Sequence, residues 1–115
     1  MDESVIDRAV YAELRNTTGA EFAAELADTF IEEAPGMLAE LRAAHADGNA
    51  ERFRRAAHSL KSNGRIFGAV KLTTLAREFE LKGLDADPAG DLACLAALEA
   101  EYVRAAAELK ALRNG

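Results

Sequence analysis

The chain of 115 residues contains a single cysteine, two prolines and no tryptophan, and only 6% of its residues are aromatic. One cysteine excludes an intrachain disulfide, a CxxC redox pair and a thiolate metal cluster, so we expect Cys94 to be a small buried residue. The length suits one domain with its own hydrophobic core, and we assign residues 1–115 to a single domain.

Long apolar runs are also missing. Uncharged segments fall far short of the roughly 20 residues that span a membrane, and the N-terminus carries acids where a secretory signal carries bases. We therefore expect a cytoplasmic protein without a membrane segment. The formal net charge of -6 disfavours nucleic acid as a partner, because phosphate binding needs a surplus of lysine and arginine.

Half of the chain is apolar, and its apolar residues recur at helical spacing, with no alternation typical of strands. This pattern predicts an all-α bundle. We expect a monomer, because the apolar stripes of the helices can bury one another. The predicted helices run from Ser4 to Leu14, from Glu21 to about His45, from about Ala50 to Phe67, from about Val70 to Lys82 and from Leu92 to about Leu112.

Residues that break or cap helices separate these segments. Asn16 to Gly19 should end the first helix, and Gly83 should end the fourth. Pro35 should kink the second helix or make it restart, since proline removes a backbone donor. Asp91 is the predicted N-cap of the last helix. The buried stripe of the second helix is predicted to contain Phe22, Leu26, Phe30, Ala34, Leu38 and Leu41.

His58 is the residue that points to chemistry. On a helical wheel at about 100° per residue, the apolar Phe53 and Leu60 lie on the side of the third helix opposite His58. The histidine should therefore face solvent rather than the core. The residues within about 60° of it are mainly cations: Arg54, Arg55, Lys61, Ser62 and Arg65.

Such surroundings disfavour a metal site, because ligating histidines seek carboxylates, thiolates or other imidazoles. They suit an anion instead: a neutral imidazole can attack a phosphoryl group while nearby positive charge stabilises the transferred oxygens. Lys61, one turn after His58, is the natural charge partner. His45 should be solvated or interact with the dipole at the end of its helix, and we do not expect it to be phosphorylated.

The segment AHSLKSNGRIFGA, from Ala57 to Ala69, resembles the histidine-containing phosphotransfer (HPt) domains of bacterial multistep phosphorelays. Their pattern reads His-x-Leu-Lys, then small residues, then Gly-Ala. The resemblance covers most of the chain, through similar residues at Phe30, Glu32 to Pro35, Leu38, Leu41, Asp47, Phe79 and Glu80.

The resemblance implies a four-helix antiparallel (up-down) bundle with an additional short N-terminal helix. It implies that His58 is the phosphoacceptor and that Lys61 stabilises the phosphoryl group. The implied partners are the receiver domains of a hybrid histidine kinase and of a response regulator. No cofactor is then expected on this chain, because the partner receiver domain supplies Mg²⁺ and an acidic pocket.

Further residues are expected around the phosphoryl group and on the docking face. Ser62, Arg54, Arg55, Arg65 and Gly64 form the expected phosphate environment. Many HPt domains have glycine where this chain has Ser62, a difference that bears on partner choice. The expected partner-binding residues are Ser59 and Ser62 near the histidine and the apolar Ile6, Val10 and Phe22, which could instead only seal the bundle end. The acids Glu25, Glu32 and Glu33 either affect partner choice or only aid solubility.

Two other interpretations stay open. The bundle could dock on a regulator or kinase without transferring phosphate, although the presence of both His58 and Lys61 on one face argues against this. It could also be a purely structural bundle, which would leave the basic face of an acidic protein unexplained. The sequence has no glycine-rich phosphate loop, so we expect neither ATP binding nor kinase activity of its own.

Overall fold

The computed structural model describes residues 5–84 and 88–114. Helices make up nearly all of this part of the chain, and it contains no strand. Short connections fold α2, α3 and α4 back on one another, and α5 packs against α2 and α4. The predicted all-α bundle of four helices with a short N-terminal helix is therefore confirmed. The helices are α1 Arg8–Thr18, α2 Ala20–Asp47, α3 Ala50–Ile66, α4 Val70–Lys82 and α5 Pro88–Asn114.

The turn between α2 and α3 follows from two adjacent residues. Gly48 adopts φ 66°, a left-handed conformation that ends α2. Asn49 then caps α3, because its side-chain oxygen accepts a hydrogen bond of 3.1 Å from the backbone N–H of Arg52. Gly83 ends α4 as predicted.

The first helix begins and ends later than the sequence indicated. The side chain of Asp7 accepts a hydrogen bond of 3.0 Å from the N–H of Ala9, so α1 begins at Arg8 rather than at Ser4, which lies outside the described residues. Asn16 does not break the helix. The hydroxyl of Thr18 donates to the carbonyl of Leu14, and α1 ends only at Gly19.

The last helix begins earlier than predicted, at Pro88. A proline suits the first turn of a helix, since its fixed φ is helical and its missing N–H would have no partner there. Asp91 is therefore inside the first turn, and its predicted role as N-cap is wrong. The loop expected before this helix falls partly on residues 85–87, which lie outside the described part of the chain.

Pro35 does not interrupt α2, which runs continuously from Ala20 to Asp47. The predicted restart is therefore wrong. Proline at position 35 leaves the carbonyl of Ile31 without its helical donor. The hydroxyl of Tyr102, from α5, donates a hydrogen bond of 2.7 Å to that carbonyl. Tertiary packing thus satisfies the backbone group that the proline leaves unpaired.

The core lies between α2, α3, α4 and α5 and includes contacts between aromatic rings. The ring of Phe30 lies 5.3 Å from that of Phe67, and the ring of Phe53 lies 5.1 Å from that of Phe79. Phe22 is an exception to the predicted buried stripe, because it is 50% exposed near the start of α2. Cys94 is exposed rather than buried, since α5 turns Leu95 and Leu98 to the core instead.

His45 is largely buried rather than solvated, and it contacts a carboxylate in addition to the end of its helix. Its Nε2 lies 3.3 Å from a carboxylate oxygen of the buried Asp91, and its ring lies beside Phe53. The other oxygen of Asp91 lies 3.2 Å from the ammonium of Lys82. These contacts join the ends of α2, α4 and α5. None of the helices in the described ranges is long and apolar enough to cross a membrane.

Gly68 positions α1 on the bundle. Its φ is 75°, its carbonyl accepts a hydrogen bond of 2.7 Å from the N–H of Asp7, and a Cβ atom there would lie 2.8 Å from the Cβ of Val10. Only glycine permits this approach. The bend between α3 and α4 is therefore also the contact that holds the start of α1.

Candidate functional site

His58 lies in α3 with 58% of its side chain exposed. The opposite side of α3 is buried, as the periodicity predicted: Phe53 and Leu60 have no accessible surface. The packing of α3 thus turns the imidazole outward, where a partner molecule can reach it.

A carboxylate from the neighbouring helix contacts the imidazole. Oε2 of Glu80, in α4, lies 2.6 Å from Nδ1 of His58. Oε1 of the same carboxylate lies 2.6 Å from Nζ of Lys61. Glu80 therefore joins the histidine and the lysine, which are one turn apart on α3. The helical wheel of α3 showed mainly cations near His58 and no acid, because it contains no information on residues contributed by α4.

The charges around Glu80 keep its carboxyl group ionised. The hydrogen bond from the Lys61 ammonium, followed by that from the His58 ring, holds the pKa of Glu80 below its usual value of 4.5. A carboxylate at Nδ1 favours the tautomer with a proton on that nitrogen. Nε2 of His58 is then the nitrogen with a free lone pair.

Close packing of α3 on α4 brings Glu80 to the histidine. Gly64 is buried at this interface, and a Cβ atom there would lie 3.0 Å from Oγ1 of Thr73 and 3.4 Å from a methyl carbon of Leu72. The structure thus places Gly64 between the helices rather than at the exposed surface. Its small size lets α4 approach.

The other residues expected near the phosphoryl group are exposed on α3. Ser59 and Ser62 are exposed, Ser59 lines a groove between α2 and α3, and Arg65 lies in the last turn of α3. Arg54 and Arg55 line a cleft of about 630 Å³ that contains His58, Lys61 and Glu80. Sequence reasoning missed two further residues of this cleft, Arg77 and Leu81 of α4. Both residues are on α4, so the spacing of residues along α3 carries no signal for them.

The expected apolar docking residues differ in exposure. Ile6 has no accessible surface, so it supports the bundle and offers no contact to a partner in this conformation. Val10 is partly buried, and Phe22 is half exposed. Within residues 5–84 and 88–114, no group of three or more histidine, cysteine or acidic side chains is arranged to hold a metal ion.

Comparison with known proteins agrees with this geometry. A family model described as Hpt domain matches residues 25–114. The chain belongs to the Hpt domain family. It is also similar to the crystal structure of histidine-containing phosphotransfer protein B (HptB) from Pseudomonas aeruginosa PAO1, with 27% sequence identity and a TM-score of 0.83. The match covers 98% of this chain and 97% of that chain. A comparison with curated proteins found no match.

The resemblance seen in the sequence is thus confirmed. This Hpt domain is a histidine phosphotransfer protein of a phosphorelay, and proteins of its family interact with receiver domains. The matched residues 25–114 include the segment with His58 and Lys61 and the helix that contributes Glu80.

Proposed function

We propose that His58 accepts a phosphoryl group from an aspartyl-phosphate of one receiver domain and passes it to an aspartate of another. The observation that carries this assignment is the exposed imidazole whose Nδ1 is held 2.6 Å from the carboxylate of Glu80. His45, the other histidine, has its Nε2 against the buried Asp91 and is not available in the same way.

In the forward step, the lone pair of Nε2 attacks the phosphorus atom. The N–P bond forms as the bond between phosphorus and the aspartate oxygen breaks, and the aspartate carboxylate leaves with the electron pair. The proton on Nδ1 stays in place, and Glu80 stabilises the positive charge that the ring acquires. The reverse sequence delivers the phosphoryl group to the second receiver.

Lys61 supplies positive charge for the phosphoryl oxygens. Its ammonium is already held next to the histidine through Glu80, at 2.6 Å from Oε1. From this position its charge can act on the oxygens of a group bound to Nε2. Arg54, Arg55 and Arg65 add positive charge on the same face, and Ser62 leaves room for the partner.

The partner completes the site. The receiver domain supplies the Mg²⁺ ion and the acidic pocket that activate its own aspartate, and this chain supplies the nucleophile and Lys61. We assign the two receivers to a hybrid histidine kinase and a response regulator, and we place the exchange in the cytoplasm between a monomeric Hpt domain and each receiver. The chain neither binds ATP nor phosphorylates itself.

The docking face surrounds His58 and extends towards α1 and the start of α2. Ser59 and Ser62 have short side chains, so they leave space for the partner beside the nucleophile. Phe22 near the start of α2 offers apolar surface, and the partly buried Val10 of α1 offers less. Ile6 is buried in the core and offers no surface to the partner in this conformation.

The test is phosphoryl transfer from a receiver domain labelled with radioactive phosphate, in the presence of Mg²⁺. We expect acid-labile label on the parent protein and none on a His58→Gln variant. The matched control is His45→Gln, checked for retained helicity, which should still be labelled. Label on His58→Gln would refute the assignment. A parent protein that binds phosphorylated receivers but takes no label would show an interaction module instead.

A further inference from the structure

The two sides of His58 differ in charge. On the side towards α4, the cleft is lined by the cations Arg54, Arg55, Lys61 and Arg77 and by one carboxylate, Glu80. Both oxygens of this carboxylate already have partners, one in His58 and one in Lys61. The cleft therefore presents a surplus of positive charge in a protein whose formal net charge is -6.

Residues 5–84 and 88–114 neutralise little of the positive charge of this cleft. Within the described residues, neither Arg54 nor Arg77 forms an ion pair. Arg55 has only a long contact of 3.9 Å with Glu51, and both side chains are largely exposed. Three guanidinium groups next to the nucleophile thus remain able to meet negative charge on another molecule.

The side towards α2 lacks this surplus of positive charge. A groove of about 460 Å³ between α2 and α3 is lined by the acids Glu33 and Glu40 and by the cations Arg52 and Arg55, so it has no surplus of positive charge. Its main cation, Arg52, is bound to Glu40 at 2.8 Å and to Asp47 at 2.9 Å. Glu33 is exposed and forms no ion pair with any residue in the described ranges. A negatively charged surface is therefore attracted more strongly to the α4 side of His58 than to this one.

We propose that the receiver places its acidic phosphorylation pocket over the cleft between α3 and α4, and that Arg54 and Arg77 select this orientation. This inference rests on the proposed function and adds the direction of approach and the residues that determine it. Complementary charge raises the rate of encounter and disfavours wrong registers, because like charges brought together cost free energy.

Apolar surface at the same place supports this docking position. Leu81, in the wall of the cleft, is 70% exposed, which is more than any other large apolar side chain among the described residues. Charged residues steer an encounter, whereas an apolar side chain that becomes buried stabilises the complex once it has formed. The proposed contact therefore extends over α4, in addition to the expected residues on α1 and α2.

The experiment measures the second-order rate of phosphoryl transfer from a phosphorylated receiver that serves the parent protein. Arg77→Glu is compared with Lys110→Glu, which makes the same charge change on an exposed position of α5. We expect Arg77→Glu to lower the rate about tenfold at low ionic strength, with the loss shrinking at about 0.5 M salt. Lys110→Glu should transfer at nearly the parent rate.

Three results separate the possible explanations. Equal rates for Arg77→Glu and the parent protein would overturn the inference, and so would equal losses in both charge-reversal variants. Arg54→Gln and Arg77→Gln, which keep most of the packing, give the same comparison if a reversal variant folds poorly. The His58→Gln variant is measured alongside: label on it refutes the proposed function, whereas an unlabelled His58→Gln with a normal Arg77→Glu refutes only the docking orientation.

Discussion

Glu80 and His58 are 22 positions apart in the sequence, and their side chains are 2.6 Å apart in the structure. The contact joins α4 to α3 and orients an otherwise exposed imidazole. A histidine on a helix surface would sample several rotamers and both tautomers. The carboxylate restricts the ring and leaves Nε2 directed to the partner.

Replacing Glu80 with glutamine should slow phosphoryl transfer. An amide oxygen can still accept a hydrogen bond from Nδ1, but it carries no charge to stabilise the ring as it becomes positive. We expect a loss on the order of tenfold in the rate from a phosphorylated receiver. Glu78→Gln, an exposed neighbour on the same helix, is the control and should transfer normally. Equal rates for Glu80→Gln and the parent would show that the carboxylate is only structural.

Glu80 should also make stability depend on pH. Its pKa in the folded protein lies below its usual value of 4.5, mainly because of the hydrogen bond from Lys61. The stabilisation by the ionised carboxylate is therefore fully present above about pH 4.5 and is lost as the pH falls through the lower folded pKa. Urea unfolding at pH 7 and at more acidic pH should show a difference between parent and Glu80→Gln that shrinks on acidification. A constant difference would contradict the role of the charge.

Replacing Lys61 with alanine should leave the fold intact and slow transfer. A charge-assisted contact to the phosphoryl oxygens corresponds to roughly ten- to a hundredfold in rate. The rate is measured by the loss of label from a phosphorylated receiver, with circular dichroism as the check on folding. Lys71→Ala removes an exposed lysine from α4 and is the control. An unchanged rate in Lys61→Ala would make this lysine a structural partner of Glu80 alone.

A bulky residue at position 62 should block the partner without affecting the nucleophile. Ser62 is exposed and lies one turn from His58, so Ser62→Trp fills space that the receiver needs. We expect transfer from the receiver to fail while thermal unfolding stays close to that of the parent. Ala97→Trp introduces the same side chain on an exposed position of α5 and should transfer normally. Normal transfer by Ser62→Trp would mean that the receiver approaches from elsewhere.

Tyr102→Phe should destabilise the protein by about 1 to 3 kcal/mol, because the carbonyl of Ile31 loses its donor in a partly buried place. Pro35→Ala restores a backbone N–H at the position that normally donates to this carbonyl. The cost of Tyr102→Phe should therefore be smaller in the Pro35→Ala background. Urea unfolding of the four proteins gives the coupling free energy, and additive effects would show that the tyrosine does not compensate for the proline.

Local signals in the sequence were sufficient for most of the fold. The bounds of α4 agree with the prediction from apolar spacing and Gly83, since a helix end depends on a few adjacent residues. The exposure of His58 followed from the same periodicity. The predicted start of α5 was wrong by four residues, because Asp91 was interpreted as the N-cap whereas the helix begins at Pro88.

The arrangement of charge around the nucleophile depended on tertiary structure. The sequence identified His58, Lys61 and the basic face of α3 through spacing along one helix. Only the packing of α4 on α3 decided that Glu80 contacts both residues and that Arg77 and Leu81 line the same cleft. The same holds for Asp91 beside His45 and for Tyr102 opposite Pro35. Spacing within a helix determines which residues share its face, whereas contacts between helices depend on how closely and at which register the helices pack.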